Sequence, residues 1–407
     1  MSKSNIVKTS KHRFSRVARL LSVALLCLLI LTSCQARNGE SSAPSIGDDV
    51  ERLPSLIEGG YTLPQISAEA AILIETGSGT VIGAKNADKR MPMASTTKIM
   101  TALVALEKSD IRKTVSVSPS AVGVEGSSVY LYEGENLTIS DLLYAMMLES
   151  ANDAATAIAI EIGGSVDGFA DLMNEKAQSM GLVDTHFTNP HGLDNDEHYT
   201  TARELGIIAM EAMKNEAFRS IVSTYKKTIP LNDTEGVRLL INHNKMLKGY
   251  VGAIGIKTGY TKKSGRCLVS AAERDGVSLI AVTLNAPNDW QDHAKMLDFG
   301  FSLFESRLLC SDKELTYTVP TVGGDRDYVT VKNKGDVRII LPKGTKAITS
   351  SVELPKFTYA PISEGEQLGR IVYYSDGKEI ASAPLYAAFD CERTVYKKSL
   401  IDRLLNK

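Results

Sequence analysis

The chain has 407 residues, 43% of them hydrophobic, a formal net charge of −2 and five cysteines. That length allows a sizeable core and two or three domains. The near-neutral balance gives no basis for a nucleic acid or other polyanion as partner.

Lys3, Lys8, Lys11, Arg13, Arg16 and Arg19 precede the apolar run "LLSVALLCLLIL" with no acidic residue among them. The run is too short for a comfortable membrane span and reads as an export signal over residues 1–34. "LTSC", residues 31–34, resembles the lipobox of bacterial lipoproteins, which implies lipid on Cys34. Ordinary cleavage nearby or an uncleaved anchor are the alternatives. Each puts the bulk of the chain outside the cytoplasm, and lipid or anchor would hold it to the outer face of the cytoplasmic membrane. Residues 35–61, rich in Ser, Gly, Pro and charge, read as a tether, with the folded part beginning near Tyr61.

"AAILIE" and "TVIGAK", joined by "TGSG", predict a hairpin. Ile99, Met100, Leu103, Val104 and Leu106 mark one face of a helix whose first turn carries Ser95 and Lys98. "TISD" predicts a capping box opening a second helix through Leu142, Leu143, Met146 and Met147. A break at "ESAND" leads into a third helix ending at Gly163 and Gly164. Such a corner can point side chains into a cleft. "AIGIKTGYT", "RCLVSAAE" and "VSLIAVTL" read as strands, with "RDG" as a turn, and "DHAKMLDFGFSLFE" as an amphipathic stretch. Helices plus an antiparallel sheet predict one mixed α/β domain over residues 62–308. Alternating strands punctuated by Gly, Pro, Asn and Asp predict a small β-rich domain over 312–392, before a short tail, 393–407.

Cys27 lies in the apolar run, leaving Cys267, Cys310 and Cys391 besides Cys34, too few for a disulfide framework or metal cage. A Cys310–Cys391 bridge is left open by the sequence.

Read singly, Ser95 is a helix cap, Lys98 and Lys257 are solvated charges, Ser150 and Asn152 are caps and Thr258 is an ordinary strand residue. Read together, "STTK" (95–98), "SAN" (150–152) and "KTG" (257–259) place three short motifs on helix, corner and strand. Ser95 and Lys98 lie one helical turn apart, so the amine can reach the hydroxyl. A lysine can take a serine's proton only if burial or a neighbouring positive charge lowers its pKa, and Lys257 could be that neighbour. A helix N-terminus offers N–H groups to developing negative charge.

"MASTTKIMTALVALE", "SANDAATAIA", "NPHGLDNDEHYTTAREL" and "GIKTGYTKKSGRCLVSAA" resemble the D-alanyl-D-alanine carboxypeptidases, low-molecular-mass penicillin-binding proteins. The resemblance implies a penicillin-binding protein/β-lactamase-like transpeptidase domain with antiparallel sheet and helices, followed by a small β-rich domain. It further implies removal of the terminal D-alanine from peptidoglycan stem pentapeptides through an acyl-Ser95 intermediate, with β-lactams as acylating inhibitors. By it Ser95 is the nucleophile, Lys98 its base, Ser150 and Asn152 the second motif, and Lys257 the third. Lys257, Thr258, Gly259 and Tyr260 would meet substrate, and the Ser95 and Tyr260 N–H groups would form the oxyanion hole. No metal or other cofactor is implied; His186, His191 and His198 match no helix-borne zinc motif. Trp290, Tyr130 and Tyr132 read as packing or cleft walls.

One departure stands out. Family members carry an arginine after the third motif that helps bind the terminal carboxylate, and "NAPNDWQDHAK" here offers Asp292 and His293. Two alternatives compete with the carboxypeptidase. A β-lactamase-like hydrolase needs a deacylating glutamate, and no convincing "ExxxN" lies between Ile160 and Lys257. A non-catalytic wall-binding or sensor protein would show no Ser95-dependent product.

Overall fold

The "AAILIE" run has no polar face to give to water, so it demands cover on both sides. In the computed structural model, which describes residues 56–231 and 236–394, it obtains both. Strands β1 (Ile57–Glu58), β2 (Ala70–Glu75) and β3 (Thr80–Lys85) open the described chain, and β2 and β3 form the expected hairpin. β1 pairs in parallel with β3, Ile57 opposite Thr80, so strand pairing begins ahead of the expected start near Tyr61. The two-stranded pairs β4 (Thr114–Ser116) with β5 (Asn136–Thr138), and β6 (Lys226–Pro230) with β7 (Val237–Ile241), stand apart from the main sheet. β8 (Ala253–Thr261), β9 (Gly265–Arg274) and β10 (Val277–Leu284) complete that sheet in the order β1-β3-β2-β10-β9-β8.

Helices α1 (Lys98–Lys108), α2 (Ile139–Leu148), α3 (Asn152–Gly163), α4 (Val166–Ser179), α5 (Ala202–Lys214) and α6 (Glu216–Ser223) follow the hairpin before β8. The side-chain alternation of β2 decides the layers. Ile72 and Ile74 join the larger core with α1 to α6, whereas Ala71 and Leu73 face the opposite layer, where α7 (Asp289–Leu303) supplies Met296 and Leu297. The capping box forms as predicted, with Thr138 accepting from the Asp141 N–H and Asp141 accepting from Thr138. The "RDG" turn has both Asp275 and Gly276 at positive φ, as a tight two-residue hairpin turn requires.

The β-rich part begins with β11 (Phe304–Cys310) and continues through β12 (Thr316–Val322), β13 (Tyr328–Lys332), β14 (Val337–Pro342), β15 (Ile348–Glu353), β16 (Thr358–Tyr359), β17 (Gln367–Ser375) and β18 (Lys378–Ala387). Six of these form a sheet in the order β15-β17-β18-β13-β12-β16, and β11 pairs with β14. Ile340 of β14 packs on the α7-side core of the first domain. The open question of a Cys310–Cys391 bridge is answered in the negative: both are free, Cys391 in one core cluster and Cys310 beside the Tyr373 hydroxyl near another. Among the described residues no helix is long and apolar enough to cross a membrane. The export signal, Cys34, most of the tether and the tail beyond Thr394 lie outside the described residues.

Asp292 and His293, which stand in the stretch where family members carry the carboxylate-binding arginine, are structural. Asp292 is buried at the start of α7, where it accepts from the Ser67 and Ala68 N–H groups and the Ser67 hydroxyl, fixing the approach to β2. His293 is fully buried with Nε2 against Thr283 Oγ1, and burial pushes its pKa down to about 3. Asp292→Ala is expected to lower the unfolding free energy by about 3 kcal/mol, because it strands buried donors. Chemical denaturation checks this; lost activity at unchanged stability would point to a substrate-binding role instead.

Candidate active site

The helix predicted to carry Ser95 in its first turn starts slightly later than expected. Ser95 sits in a single 3₁₀ turn, Ala94–Thr97, that feeds into α1 at Lys98. Ala94, immediately before the serine, is held at φ 48°, a left-handed conformation costly for a residue with a Cβ. Its surroundings impose it. A Cβ on Gly192 would lie 1.9 Å from the Ala94 carbonyl oxygen, so only glycine permits the chain to pass there. Thr97 Oγ1 donates to the same carbonyl at 2.8 Å. His198 Nε2 meets Thr97 Oγ1 at 2.7 Å, while the Thr188 N–H donates to Nδ1. That pattern requires the neutral Nε2–H tautomer, and burial pushes the His198 pKa down to about 3.

Lys98 is fully buried, and its Nζ has three oxygens around it: Ser95 Oγ at 3.1 Å, Asn152 Oδ1 at 2.7 Å and the His191 carbonyl at 2.6 Å. The Asn152 amide cannot be reversed, since its Nδ2 donates to the Glu125 carbonyl at 2.6 Å. Two of the three neighbours are thus oxygens that only accept. A neutral amine gives its two hydrogens to them and turns its lone pair toward Ser95 Oγ. Burial first, and the charge of Lys257 second, hold the Lys98 pKa well below the ordinary lysine range, with Asp153 opposing. Lys257 is buried too, with Nζ donating to the Thr258 carbonyl, and burial lowers its pKa to about 7.

The corner behaves as predicted. α2 ends at Leu148, α3 starts at Asn152, and Ser150 between them has φ 60°. Asp153, which the sequence reading passed over, anchors the facing loop by accepting from Ser128 Oγ and the Val129 and Leu131 N–H groups. Ser127 then presents its carbonyl to the Asn152 N–H at 2.7 Å. On the strand side, a Cβ on Gly259 would stand 3.1 Å from both the Ser95 nitrogen and the Met93 oxygen, so glycine seats β8 tightly against the serine turn.

Ser95, Ser150, Thr258, Gly259 and Tyr260 share one cleft of about 380 Å³ with Ser127, His243, Lys245, Arg266, Asp289 and Trp290. The last six escaped the motif search because they belong to no short pattern; Trp290 alone was expected as a cleft wall. Tyr130 and Tyr132 are strongly exposed and lie outside the cleft lining. A larger cavity of about 530 Å³ lies in the β-rich domain among Lys313, Lys332, Lys334 and Tyr386, away from all three motifs. The histidines once considered for metal have separate tasks: the His191 carbonyl receives Lys98, His198 supports Thr97, and His186 Nδ1 bonds the Glu197 carbonyl.

A family profile described as D-alanyl-D-alanine carboxypeptidase matches residues 59–288, over half of the chain. The chain belongs to that family. It is therefore a serine-type peptidase, and a second profile, the C-terminal domain of penicillin-binding protein 5, matches residues 304–393. The carboxypeptidase is 32% identical over 385 residues to D-alanyl-D-alanine carboxypeptidase DacF of Bacillus subtilis, covering 92% of this chain and 95% of the relative. A crystal structure of penicillin-binding protein 5 from Haemophilus influenzae superposes with a TM-score of 0.62 at 31% identity, covering 82% of this chain and all of that one. The Streptomyces K15 DD-transpeptidase matches with a TM-score of 0.57 at 36% identity, over 60% of this chain and all of that one.

Buried lysines also leave a thermodynamic trace. With a folded pKa of about 7 against 10.5 for the free side chain, Lys257 binds fewer protons in the folded than in the unfolded state between those values. Its contribution to stability is therefore full above pH 10.5 and is lost as pH falls toward 7. The urea midpoint should rise from pH 7 to 10, and Lys257→Met should flatten that rise; an equal slope in both proteins would contradict the assignment.

Proposed function

We propose that this cleft removes the C-terminal D-alanine from peptidoglycan stem pentapeptides, with Ser95 as nucleophile and Lys98 as its base. The observation that carries the reading is the buried Lys98 Nζ, within hydrogen-bond distance of Ser95 Oγ, Asn152 Oδ1 and the His191 carbonyl, so that the neutral amine can give its hydrogens to the last two and its lone pair to the serine. In the proposed cycle Lys98 takes the Ser95 proton while Oγ bonds to the carbonyl carbon of the penultimate D-alanine. The Ser95 and Tyr260 N–H groups hold the oxyanion. Its collapse breaks the peptide bond, and the departing D-alanine nitrogen receives the proton from Lys98 through Ser150. Water then attacks the acyl-Ser95 ester, Lys98 accepts its proton, and the proton returns to Oγ as the shortened stem leaves. Asn152 orients Lys98 and the substrate amide, Lys257 keeps the Lys98 pKa low, and Thr258 and Gly259 line the substrate's path.

β-Lactams would acylate the same serine. A lasting adduct is supported by the cleft's composition: among the described residues its one lining carboxylate is Asp289, paired to Arg266 at 3.0 Å, so none of them offers a free carboxylate to activate water as a β-lactamase glutamate does. We assign residues 62–308 to catalysis and 312–392 to positioning. The work is placed outside the cytoplasm, on a chain held to the membrane through Cys34 or an uncleaved N-terminal segment.

The test is D-alanine release from a diacetylated L-lysyl-D-alanyl-D-alanine by protein from residue 35 onward. Ser95→Ala is expected to reduce release at least about 10³-fold. No release by the folded parent protein would shift weight to a wall-binding role. With penicillin, the acyl-enzyme should persist for minutes; recovery within seconds would mark a β-lactamase.

A further inference from the structure

The near-neutral total charge hides a local imbalance in the β-rich domain. The cavity of about 530 Å³ there is lined by Lys313, Lys332 and Lys334 against a single carboxylate, Glu364. Like charges gathered around one space raise one another's energy unless counter-charges answer them. The neighbouring carboxylates are committed elsewhere. Asp312 accepts from the Gly335 N–H at 2.6 Å, Asp336 from the Asp312 N–H, Glu366 from the Ser363 N–H and Asp390 from the Glu364 N–H. Lys313 Nζ comes no nearer than 4.0 Å to Asp312 Oδ2, and among the described residues the ammoniums of Lys332 and Lys334 have no hydrogen-bond or ion-pair partner.

The fold assembles these charges from separate segments. Lys332 on β13 stands opposite Tyr386 on β18, and both take the face of the sheet away from the next pair, Val331 and Ala387, which packs in the core. Beyond Lys332 the chain is clamped. Asn333 is buried, its Oδ1 accepts from the Leu315 N–H at 3.0 Å, and its Nδ2 donates to the Ser311 and Gly335 carbonyls at 2.8 and 2.9 Å. These bonds join the turn that carries Lys313 to the turn that carries Lys334. Lys313 itself has φ 57°, a left-handed conformation that glycine or asparagine adopts at lower cost. The backbone under the three lysines is thus pinned, while the cavity they line stays open.

Its volume lies within the range of small-molecule sites, about 300–1,000 Å³. Lysine is a point charge, and this decides the kind of anion. A phosphate presents several oxygens in a tetrahedral array and can meet ammoniums from different directions, whereas a planar carboxylate with two oxygens is matched to the fork of an arginine. Tyr386, Ala387 and Ala388 line the remainder of the cavity and offer an aromatic and aliphatic wall to the rest of a ligand.

We propose that this cavity binds a small phosphate ester, its phosphate held among Lys313, Lys332 and Lys334 and its organic body lying against Tyr386. The site gives the β-rich domain a recognition task of its own, separate from the Ser95 cleft, and does not rest on the carboxypeptidase reading.

The probe is glycerol phosphate, titrated into the chain from residue 35 onward and followed by ligand NMR and thermal unfolding. Saturable binding is expected, with a thermal midpoint that rises with ligand concentration. Lys332 and Lys334 are not buried, so their glutamine variants should fold normally. Lys332→Gln and Lys334→Gln should each weaken binding about 10-fold, and the double variant should abolish it. Ser95→Ala should bind the probe as the parent does. No saturable binding by the parent chain, equal binding by the double variant, or tighter binding of acetate than of the phosphate ester would overturn the proposal. Loss of binding in Ser95→Ala would do so too, since it would put the phosphate in the catalytic cleft. Vesicles of phosphatidylglycerol, compared with phosphatidylcholine, identify the source of the ester. Co-sedimentation that the double variant abolishes assigns the phosphate to a lipid headgroup, and binding of glycerol phosphate without co-sedimentation assigns it to a soluble or polymer-borne ester.

Discussion

A fully buried amine with two carbonyl-type oxygens at 2.6 and 2.7 Å is the constraint on which this site depends. Burial makes the charged form of Lys98 expensive, and the second buried lysine raises that cost. The two acceptors decide where the hydrogens of the neutral form go. Neither effect alone would prepare Ser95: burial without the acceptors leaves the lone pair unaimed, and the acceptors in water would simply stabilise an ordinary ammonium.

Most of the surrounding architecture serves to keep those two acceptors in place. Asn152 is locked by Glu125, the facing loop is gathered onto Asp153, and the His191 carbonyl sits in a loop folded around Asn189, which accepts from the Gly192 N–H. The same loop supplies Gly192 and His198 to the serine turn. Helix, corner, loop and strand therefore meet at one place, although Ser95 and Gly259 are far apart in the chain.

Periodicity and turn chemistry made the hairpin, the capped α2, the corner and the antiparallel β8 to β10 legible, because each is governed by neighbours in sequence. The motif residues were legible for a different reason: chemistry restricts residue type and spacing. What escaped was whatever depends on distant partners. The helical pattern could not show that packing against Gly192 tightens the turn at Ser95 into a 3₁₀ form. That Asp292 anchors the approach to β2 could not be read either, because its partners Ser67 and Ala68 lie more than 220 residues earlier. Arg266 was hidden inside a strand pattern, where only register reveals that it shares a face with Thr258. The bridge left open between Cys310 and Cys391 could be settled only by seeing the two thiols in separate surroundings.

The low pKa of Lys98 has a consequence in time as well as in space. It exists only while the lysine is buried, and burial requires the corner, the loop through His191 and β8 to have closed around it. A chain that has not yet folded carries an ordinary serine beside an ordinary ammonium, inert toward peptides and β-lactams alike. On the proposed roles, reactivity is thus a property of the finished tertiary structure: Ser95 gains its base only once these elements have met around Lys98.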